Sequence, residues 1–538
     1  MAGMVVAPQP LAVEEGVKVL RQGGNAVDAA VACALVQGVV DPHMSSVGGY
    51  ALATVSLARA PGIEAVRAVD APALAGSGVT PEMWQDIVIR PNPRGWGYFL
   101  QGKVNEMGYQ SICTPGIVKG LSWMLQHWGS WSWEQVTEPA ARVAEEGFLV
   151  DDYLAGQWRT RAAYPEESTL LDYLKSNPEA SRIYLREDGS PHEPGDRLRN
   201  PDYARTLRGL SEAGPDDFYR GALARRISHD LQDHGSFVSA QDLASYRTIP
   251  AEPVIGSYRG YQVATSPAPH GGLTLLAILH ILEGYDLSSL GHNSAEYIYL
   301  VSKAMKAAFA DRNPNLGDPR FADRPFDWMI SEDRAQYWRK RIDAGVPIQV
   351  SFTPSEPPDT THVSVVDDQG NCVALTHSLG MSSGVITPGL GFMYNNSMVN
   401  FHPLPGHPNS IAPGKARTTG MSPTILYRDG QPVMVLGAPG ATRIITSLAQ
   451  VIVNVLDFGM TLTEAILAPR FDCQGGPIVC QGRIPEYVCA EVRRRHPVER
   501  LPRSHGGMGL VHALWRDPRT GEWTGAADAG AGGMALRA

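Results

Sequence analysis

The chain has 538 residues, of which 43% are hydrophobic and 19% charged, with 56 Gly and 41 Pro. This composition excludes a disordered, collagen-like or coiled-coil chain, and the length is ample for a large buried core. The 46 Lys and Arg against 55 Asp and Glu leave a net charge of −9. The chain as a whole therefore lacks the positive charge that binds nucleic acid or an anionic membrane, and we expect a small-molecule substrate.

The six cysteines are scattered, without the CxxC spacing of a zinc site or the density of a disulfide framework. We therefore expect buried, unpaired thiols and neither a metal nor another cofactor. Residues 1–8 lack the basic and apolar segments of a secretory signal, and the apolar run 29–36 is too short to span a bilayer. These features predict a cytoplasmic protein.

The first two-thirds of the chain are mostly helical in pattern. Gly23 and Gly24 separate the first two predicted helices, which should form a hairpin. A glycine turn at 46–50 then leads into the apolar run 51–57, which is typical of a buried strand. Helical spacing of apolar residues predicts helices at 13–20, 26–39, 136–148 and 273–282.

A β-hairpin is predicted late in the chain. A proline-rich stretch that ends at Pro357 and Pro358 leads into the strand pattern 360–366, and a second strand pattern follows at 372–378. Between them lies a turn-forming cluster of Asp, Gln, Gly and Asn.

Regular antiparallel pairing about Gln369 sets Thr360 opposite Ser378, with Cβ atoms about 4.5–5.5 Å apart. A Thr hydroxyl is a poor nucleophile near neutral pH, and a free α-amine on the same residue is the most compact base for it. Thr360 gains that amine if its hydroxyl attacks the carbonyl of Asp359 and the resulting ester is hydrolysed. The spacing alone favours the simpler interpretation, a Thr that begins a strand.

A strand, a glycine-rich turn and a helix are predicted from residue 433 onward. The strand 433–437 runs into the turn 437–442, and Ile444, Leu448 and Val451 then recur at helical spacing. Backbone N–H groups at such a turn suit an oxyanion, although most such turns only change the direction of the chain.

Seven short motifs occur in order along the chain and together carry a resemblance. They are Gly3-Met4-Val5-Val6-Ala7, Gly23-Gly24-Asn25-Ala26-Val27-Asp28-Ala29-Ala30, Thr114-Pro115-Gly116, His270-Gly271-Gly272, Asp359-Thr360-Thr361-His362, Met421-Ser422-Pro423-Thr424 and Gly437-Ala438-Pro439-Gly440-Ala441-Thr442-Arg443-Ile444-Ile445. In these motifs the sequence resembles the γ-glutamyltranspeptidase family of N-terminal-nucleophile hydrolases over nearly its whole length.

The resemblance implies an α+β fold, a four-layer αββα sandwich, made as one precursor that cleaves itself between Asp359 and Thr360. Residues 1–359 would form the large subunit and residues 360–538 the small subunit, which begins with the nucleophile. The two subunits would associate as a heterodimer, and a dimer of heterodimers is a further option. No nucleic acid or membrane partner is expected.

The resemblance also implies a catalytic set. Thr360 matches the nucleophile, Ser378 matches a hydroxyl residue hydrogen-bonded to it, and Gly440 and Ala441 match a Gly-Gly pair whose amides form the oxyanion hole. Because Ala does not easily adopt a positive φ, we expect Ala441 to keep the amide without the conformational freedom of Gly.

The positions implied to bind the substrate carboxylate depart from the family pattern. The family's Arg falls at Ala68, and Arg67 is one residue out of register, which on a strand points it to the other face. The family's Ser-Ser pair reads Thr419-Gly420, so one hydroxyl is lost.

The positions implied to bind the substrate ammonium also differ. The family's Asn after the Ser378 position is Gly380, and in its N-N-Q-M-x-D motif Asn396 is kept, Ser397 replaces Gln and Asn400 replaces Asp. We therefore expect a neutral, polar pocket, unless Arg67 or another residue reaches in and restores a charged anchor.

We accordingly expect a self-processing hydrolase or acyltransferase that cleaves an amide through an ester on Thr360 and passes the acyl group to water or an amine. The donor is expected to differ from a typical γ-glutamyl substrate. Two alternatives remain open: cleavage of a C–C or amide bond in an oxalyl- or glutaryl-type substrate of specialised metabolism, and a non-catalytic scaffold or binding homologue.

Overall fold

The structure is a computed structural model that describes residues 3–58, 62–95, 97–249, 251–323, 325–352, 354 and 359–538. The helices are α1 (Pro10–Arg21), α2 (Ala26–Val40), α3 (Ile117–Trp128), α4 (Trp133–Glu146), α5 (Asp152–Trp158), α6 (Leu170–Ser176), α7 (Pro178–Tyr184), α8 (Pro201–Ala213), α9 (Asp217–Arg220), α10 (Ala222–Asp233), α11 (Ala240–Ser245), α12 (Gly272–Leu282), α13 (Ala295–Asn315), α14 (Glu332–Asp343), α15 (Arg443–Leu456), α16 (Leu462–Leu467) and α17 (Glu486–Arg493). The strands are β1 (Met4–Ala7), β2 (Tyr50–Ser56), β3 (Val66–Ala71), β4 (Val88–Pro91), β5 (Tyr98–Leu100), β6 (Phe148–Leu149), β7 (Arg197–Leu198), β8 (Val254–Tyr258), β9 (Tyr261–Thr265), β10 (Asp359–Val366), β11 (Cys372–Gly380), β12 (Thr424–Arg428), β13 (Gln431–Gly437), β14 (Phe471–Asp472), β15 (Ile478–Cys480), β16 (Val498–Arg500), β17 (His512–Arg516), β18 (Trp523–Ala527) and β19 (Met534–Arg537).

Two antiparallel six-stranded sheets, stacked face to face, form the centre of the molecule. The first has the strand order β19-β1-β10-β11-β2-β3 and the second β18-β17-β13-β12-β9-β8. Apolar side chains such as Val6, Ala374 and Leu514 fill the space between them. Helices that include α2 cover the outer face of the first sheet, and α12, α13 and α15 cover that of the second. The expected αββα sandwich is confirmed.

The N-terminal helical hairpin forms as predicted. Asn25 caps α2, because its side chain accepts from the amides of Val27 and Asp28 while the Asp28 carboxylate accepts from the Asn25 amide at 2.8 Å. Residues of α2 are buried on nearly every side, which is the burial expected of a helix that is apolar all round.

The central hairpin has the predicted register. Thr360 pairs with Ser378, and the register of the pairing shifts between Asp359 and Thr360. β10 is flanked by β1 and β11, so both of its edges are paired. Pro357 and Pro358, which the sequence places before the hairpin, lie outside the described residues.

All six cysteines are buried and unpaired, as expected. In the part of the chain that the structure describes, no helix is both long and apolar enough to cross a membrane. Among the same residues, no cluster of three or more His, Cys, Asp or Glu side chains is arranged to hold a metal ion.

Candidate active site

Thr360 and Ser378 lie side by side at one end of the first sheet. Their hydroxyl oxygens are 3.1 Å apart, and both side chains are buried. Ser364, on the same face of β10 as Thr360, donates to the backbone carbonyl of His512 in the second sheet at 3.1 Å. Because alternate residues of a strand share a face, the two hydroxyls point into the space between the sheets.

The hydrogen bonds of Ser378 define the direction of proton donation. Its Oγ donates to the backbone carbonyl of Asp359 at 2.5 Å and accepts from the amide of Gly380 at 2.7 Å. Since a Ser hydroxyl has only one proton to donate, Thr360 must be the donor in its contact with Ser378. Ser378 thus polarises the Asp359 carbonyl while it accepts a hydrogen bond from the neighbouring Thr360 hydroxyl.

The two histidines of the hairpin support this structure by hydrogen bonding. The ring of His362 contacts the hydroxyls of Thr376 and Ser364 at 2.8 and 2.9 Å. His377 contacts Ser45 at 2.5 Å and the side-chain carbonyl of Gln37 at 2.9 Å. Burial lowers the pKa of His377 to about 3, so its ring is neutral near pH 7.

The glycine-rich turn after β13 lies at the same end of the sandwich as Thr360, because Gly437 packs directly against the ring of His362. Gly440 has φ +138° and Ala441 has φ +57°. Within the described residues, neither amide has a hydrogen-bond partner. Two unpaired, adjacent N–H groups of this kind suit a developing oxyanion.

Ala441 departs from the expectation based on the sequence. It adopts the left-handed conformation that was expected to be unfavourable for Ala, at a cost of roughly 1–2 kcal/mol. Its carbonyl packs closely against Gly420, where a Cβ atom would collide with it. The tight contact with Gly420 and the turn geometry together hold Ala441 in place.

Arg67 is not brought to the site. On β3 it pairs with Val55, whereas Tyr50 of the same neighbouring strand pairs with Ser378. Five residues along a strand correspond to about 17 Å. Arg67 is exposed, and it donates at 2.7 Å to the backbone carbonyls of Glu64 and Val66. The structure therefore does not bring Arg67 together with Thr360, because strand pairing places it near the other end of the sheet.

Thr419 belongs to a buried chain of three polar side chains. Its hydroxyl contacts His270 Nδ1 at 2.8 Å, and His270 Nε2 contacts Asp70 Oδ1 at 3.1 Å. The Thr419 hydroxyl also accepts from the amide of Met421 at 3.2 Å. This network orients the Thr419 side chain, whereas Gly420 presents only backbone.

The residues at the positions implied to bind the substrate ammonium fall into two groups. The side chain of Asn396 donates to the backbone carbonyls of Asn105 and Glu106 and accepts from the amide of Val399, so it organises the loop. By contrast, the Ser397 hydroxyl and both polar atoms of the Asn400 amide are buried and have no hydrogen-bond partner among the residues that the structure describes. A buried polar atom without a hydrogen-bond partner lowers the stability of the folded state. Such atoms in a native site are typically satisfied by a ligand or a water molecule.

Arg417 lies beside Gly380 and is a charged residue that the sequence did not single out. A Cβ atom placed on Gly380 would lie 2.6 Å from Arg417 Nη2. The same nitrogen donates to the Tyr50 hydroxyl, and Nη1 donates to the backbone carbonyl of Thr418 at 3.0 Å. The only sequence signal was the absence of a side chain at position 380, where the family has Asn.

A cavity of about 160 Å³ lies on the Asp359 side of β10. Its wall includes Met381 and Val399, together with the charged residues Arg161 and Glu167. Ser397, Asn400 and Thr419 do not line it, so this cavity is separate from the predicted acyl-binding positions. His43 also lines the cavity, and its Nδ1 is buried without a hydrogen-bond partner in the described part of the chain.

Comparisons with known proteins agree with this geometry. The profile of the family described as Gamma-glutamyltranspeptidase matches residues 12–537. The chain is 36% identical over 515 residues to Acylase ACY 1 proenzyme of Pseudomonas sp. (strain SE83). The aligned region covers 95% of this chain and 89% of the relative. It is 34% identical over 494 residues to Glutathione hydrolase proenzyme of Escherichia coli (strain K12), covering 88% and 81% respectively.

Among solved structures, a crystal structure of cephalosporin acylase from Bacillus halodurans superimposes with a TM-score of 0.85 at 27% sequence identity. The match covers 99% of this chain and 95% of that one. The chain therefore belongs to the gamma-glutamyltranspeptidase family of N-terminal-nucleophile hydrolases.

Proposed function

We propose that this enzyme processes itself between Asp359 and Thr360 and then uses Thr360 as the nucleophile of an amide hydrolase or acyltransferase. The proposal rests on two hydrogen bonds in the uncut chain. Thr360 Oγ1 is hydrogen-bonded to Ser378 Oγ, which in turn donates to the Asp359 carbonyl oxygen. The nucleophile, a proton acceptor and a polarised scissile carbonyl are already adjacent.

In the first reaction, Thr360 Oγ1 adds to the carbonyl carbon of Asp359. The bond between that carbon and the Thr360 nitrogen breaks, the nitrogen takes up the proton that leaves Oγ1, and an ester forms. Water then hydrolyses the ester, which yields a carboxylate on Asp359 and a free α-amine and hydroxyl on Thr360. Ser378 assists by donating to the carbonyl oxygen and accepting from the Thr hydroxyl.

In turnover, the α-amine of Thr360 accepts the proton of its own hydroxyl, and Oγ1 attacks the amide carbonyl of the donor. The amides of Gly440 and Ala441 stabilise the oxyanion, and the leaving amine departs with the proton. Water or an acceptor amine then cleaves the acyl ester on Thr360. We assign Thr419 and Asn400 to the acyl-binding region, and their correspondence to family positions supports this assignment.

The proposed cut leaves two intertwined subunits, residues 1–359 and 360–538. The first sheet would take β1, β2 and β3 from the large subunit and β10, β11 and β19 from the small one. The second sheet would likewise combine β8 and β9 with four strands of the small subunit. Because hydrogen-bonded strand pairs join the two chains in both sheets, the pieces should stay together as a heterodimer.

The names of the relatives support a processed acylase. The relatives from Pseudomonas and Escherichia coli are both called proenzymes, and one is called an acylase. The paired hydroxyls of Thr360 and Ser378 argue against a non-catalytic scaffold. A cytoplasmic location and a dimer of heterodimers stay predictions.

A denaturing gel tests the proposal. Processing should split the 58.1 kDa chain into pieces of roughly 39 and 19 kDa, the smaller beginning Thr-Thr-His by N-terminal sequencing. Thr360→Ala should leave one full-length band. A single band from the unsubstituted protein after prolonged incubation would refute self-processing.

A further inference from the structure

We propose that the cavity beside Asp359 binds the distal end of the donor's acyl group, and that this end is one uncharged aromatic ring that carries a hydrogen-bond acceptor. This inference rests on the proposed function of Thr360, and it names the class of acyl donor. Apart from Asp359, the residues that support it lie outside the positions implied by the family resemblance.

The cavity lies next to the reacting groups. Asp359, which lines it, carries the scissile carbonyl to which Ser378 Oγ donates at 2.5 Å. The backbone carbonyl of Met44, another lining residue, accepts at 2.9 Å from the amide of Leu379, the residue after Ser378. Thr360 does not line the cavity. The cavity therefore adjoins the acyl half of the scissile bond and not the amine half.

The cavity also adjoins the positions assigned to the acyl group. Met381 follows Gly380 and Val399 precedes Asn400, and both Met381 and Val399 line the cavity. An acyl group esterified to Thr360 can therefore pass Gly380 and Asn400 and place its distal end in the cavity. The cut frees the last residue of the large subunit, which is part of the wall, and its departure opens the cavity toward the nucleophile.

The size and the walls of the cavity suit one aromatic ring. Its volume is about 160 Å³, and an apolar cavity of about 150 Å³ is large enough to bind benzene. Tyr173, Met381 and Val399 form one apolar cluster in the wall, and Phe99 adds a second buried ring. Aromatic side chains and methionine sulfur both pack favourably against an aromatic ligand.

His43 supplies a hydrogen-bond donor that the protein does not use. Its Nε2 accepts from the indole N–H of Trp158 at 2.7 Å, and burial lowers the pKa of His43 to about 3, so the neutral ring carries its proton on Nδ1. This N–H group is buried and has no partner among the described residues, and His43 lines the cavity. A nitrogen or oxygen acceptor on the ligand would satisfy it.

The charges around the cavity disfavour a charged ligand. Arg94 and Arg161 line it but are exposed, so neither supplies a buried cation. Glu106 is a buried acid of the wall, and its carboxylate already accepts two hydrogen bonds from the protein. A ligand carboxylate would lie near this acid, and a ligand ammonium would meet the N–H group of His43. Either ion would exchange its hydration for a largely apolar wall.

The test measures kcat/KM of the processed enzyme for p-nitroanilides that differ only in the acyl group. Phenylacetyl should exceed acetyl by about 10- to 100-fold, the range expected for burial of one phenyl ring. Two charged donors of five carbons, glutaryl and 5-aminopentanoyl, should be hydrolysed more slowly than phenylacetyl. Cyclohexylacetyl should be slower than phenylacetyl by about 2- to 10-fold, because it lacks the aromatic contacts with the wall.

A pyridylacetyl series tests the acceptor. The 2-, 3- and 4-pyridylacetyl anilides place a nitrogen at each ring position without changing the size of the ring. At about pH 8, where pyridine is neutral, at least one of them should be hydrolysed about 2- to 10-fold faster than phenylacetyl, the range for one net hydrogen bond. His43→Phe removes the donor and should abolish this advantage. If His43→Phe fails to fold, the pyridyl and phenyl donors on the unsubstituted enzyme decide the matter.

Leu170→Trp tests the cavity itself, because Leu170 lines it and a larger side chain there fills the space of the ring. The ratio of kcat/KM for phenylacetyl to that for acetyl should fall by about 10-fold. Leu149→Trp is the matched control, since Leu149 is 59% exposed and does not line the cavity, and it should leave this ratio unchanged.

Equal rates for phenylacetyl and acetyl, or a faster rate for either charged donor or for cyclohexylacetyl, would overturn the aromatic site. So would an unchanged ratio in folded Leu170→Trp, or hydrolysis of none of these donors. Pyridyl donors that are all no faster than phenylacetyl would overturn the role of His43. In all of these cases the gel would still display the cut before Thr360, so the proposed function would stand. An uncut chain would instead refute the proposed function.

Discussion

Removing the Ser378 hydroxyl is the most informative single change, because that oxygen takes part in three hydrogen bonds at the scissile bond. It donates to the Asp359 carbonyl at 2.5 Å, accepts from the Gly380 amide at 2.7 Å and contacts the Thr360 hydroxyl at 3.1 Å. Ser378→Ala deletes all three without altering the strand pairing.

The expected kinetic effect follows from the loss of the donor to the scissile carbonyl. Loss of one donor to a developing oxyanion costs about 2.7–4 kcal/mol in activation free energy, or roughly 100- to 1000-fold in rate. The buried Gly380 amide also loses its acceptor, which should lower the free energy of unfolding by about 1–3 kcal/mol. Ser378→Thr keeps a hydroxyl and should retain most of the processing rate.

The assay is a time course of self-cleavage on denaturing gels, starting from freshly purified precursor. Ser382→Ala is the matched control, since Ser382 is equally buried and its hydroxyl has no hydrogen-bond partner within the described ranges. It should process at the unsubstituted rate. Processing of Ser378→Ala at the unsubstituted rate, in a protein that is folded by circular dichroism, would refute the proposed role of Ser378.

Three further predictions concern stability. Gly380→Ala should lower the free energy of unfolding by about 1–2 kcal/mol in urea titrations, because φ is +73° there and the new Cβ would lie 2.6 Å from Arg417; an unchanged midpoint would contradict the conformation of Gly380. Ala441→Gly should do the opposite and stabilise the protein by about 1 kcal/mol, since it relieves a left-handed Ala, and a lower melting temperature would argue against that strain. Burial lowers the pKa of both His43 and His377 to about 3, so the stability that they contribute is present above the unfolded pKa of about 6.5 and is lost as the pH falls toward 3. Each should cost about 2 kcal/mol of unfolding free energy at about pH 5 relative to pH 7, and His43→Gln should flatten this dependence measurably in urea titrations at the two pH values.

Local pattern was sufficient to predict the hairpin and its register. The turn cluster after Val366 and the alternating apolar residues on both sides define an antiparallel pair, and the period of two then sets Thr360 against Ser378. The strand, turn and helix around Gly440 were predictable for the same reason, since each depends on residues close together in the chain.

Local pattern was insufficient for the conformation of Ala441. Its positive φ is imposed by the packing of the turn against Gly420, a residue from a different segment. Propensity alone argued for another conformation, and a tertiary contact outweighed it.

The acyl-binding region depended most on the tertiary structure. By itself, the sequence determined the sandwich fold and the nucleophile candidate through the matched motifs. It also determined that Ala68 stands where the family has Arg, because this follows from the order of residues within one motif. Only the fold separated Arg67 from Thr360, through strand pairing that carries it toward the other end of the sheet, and only the fold brought Arg417 to Gly380. The physical reason is that a side chain's neighbours across a buried space are set by the packing of segments distant in sequence, which no local periodicity encodes.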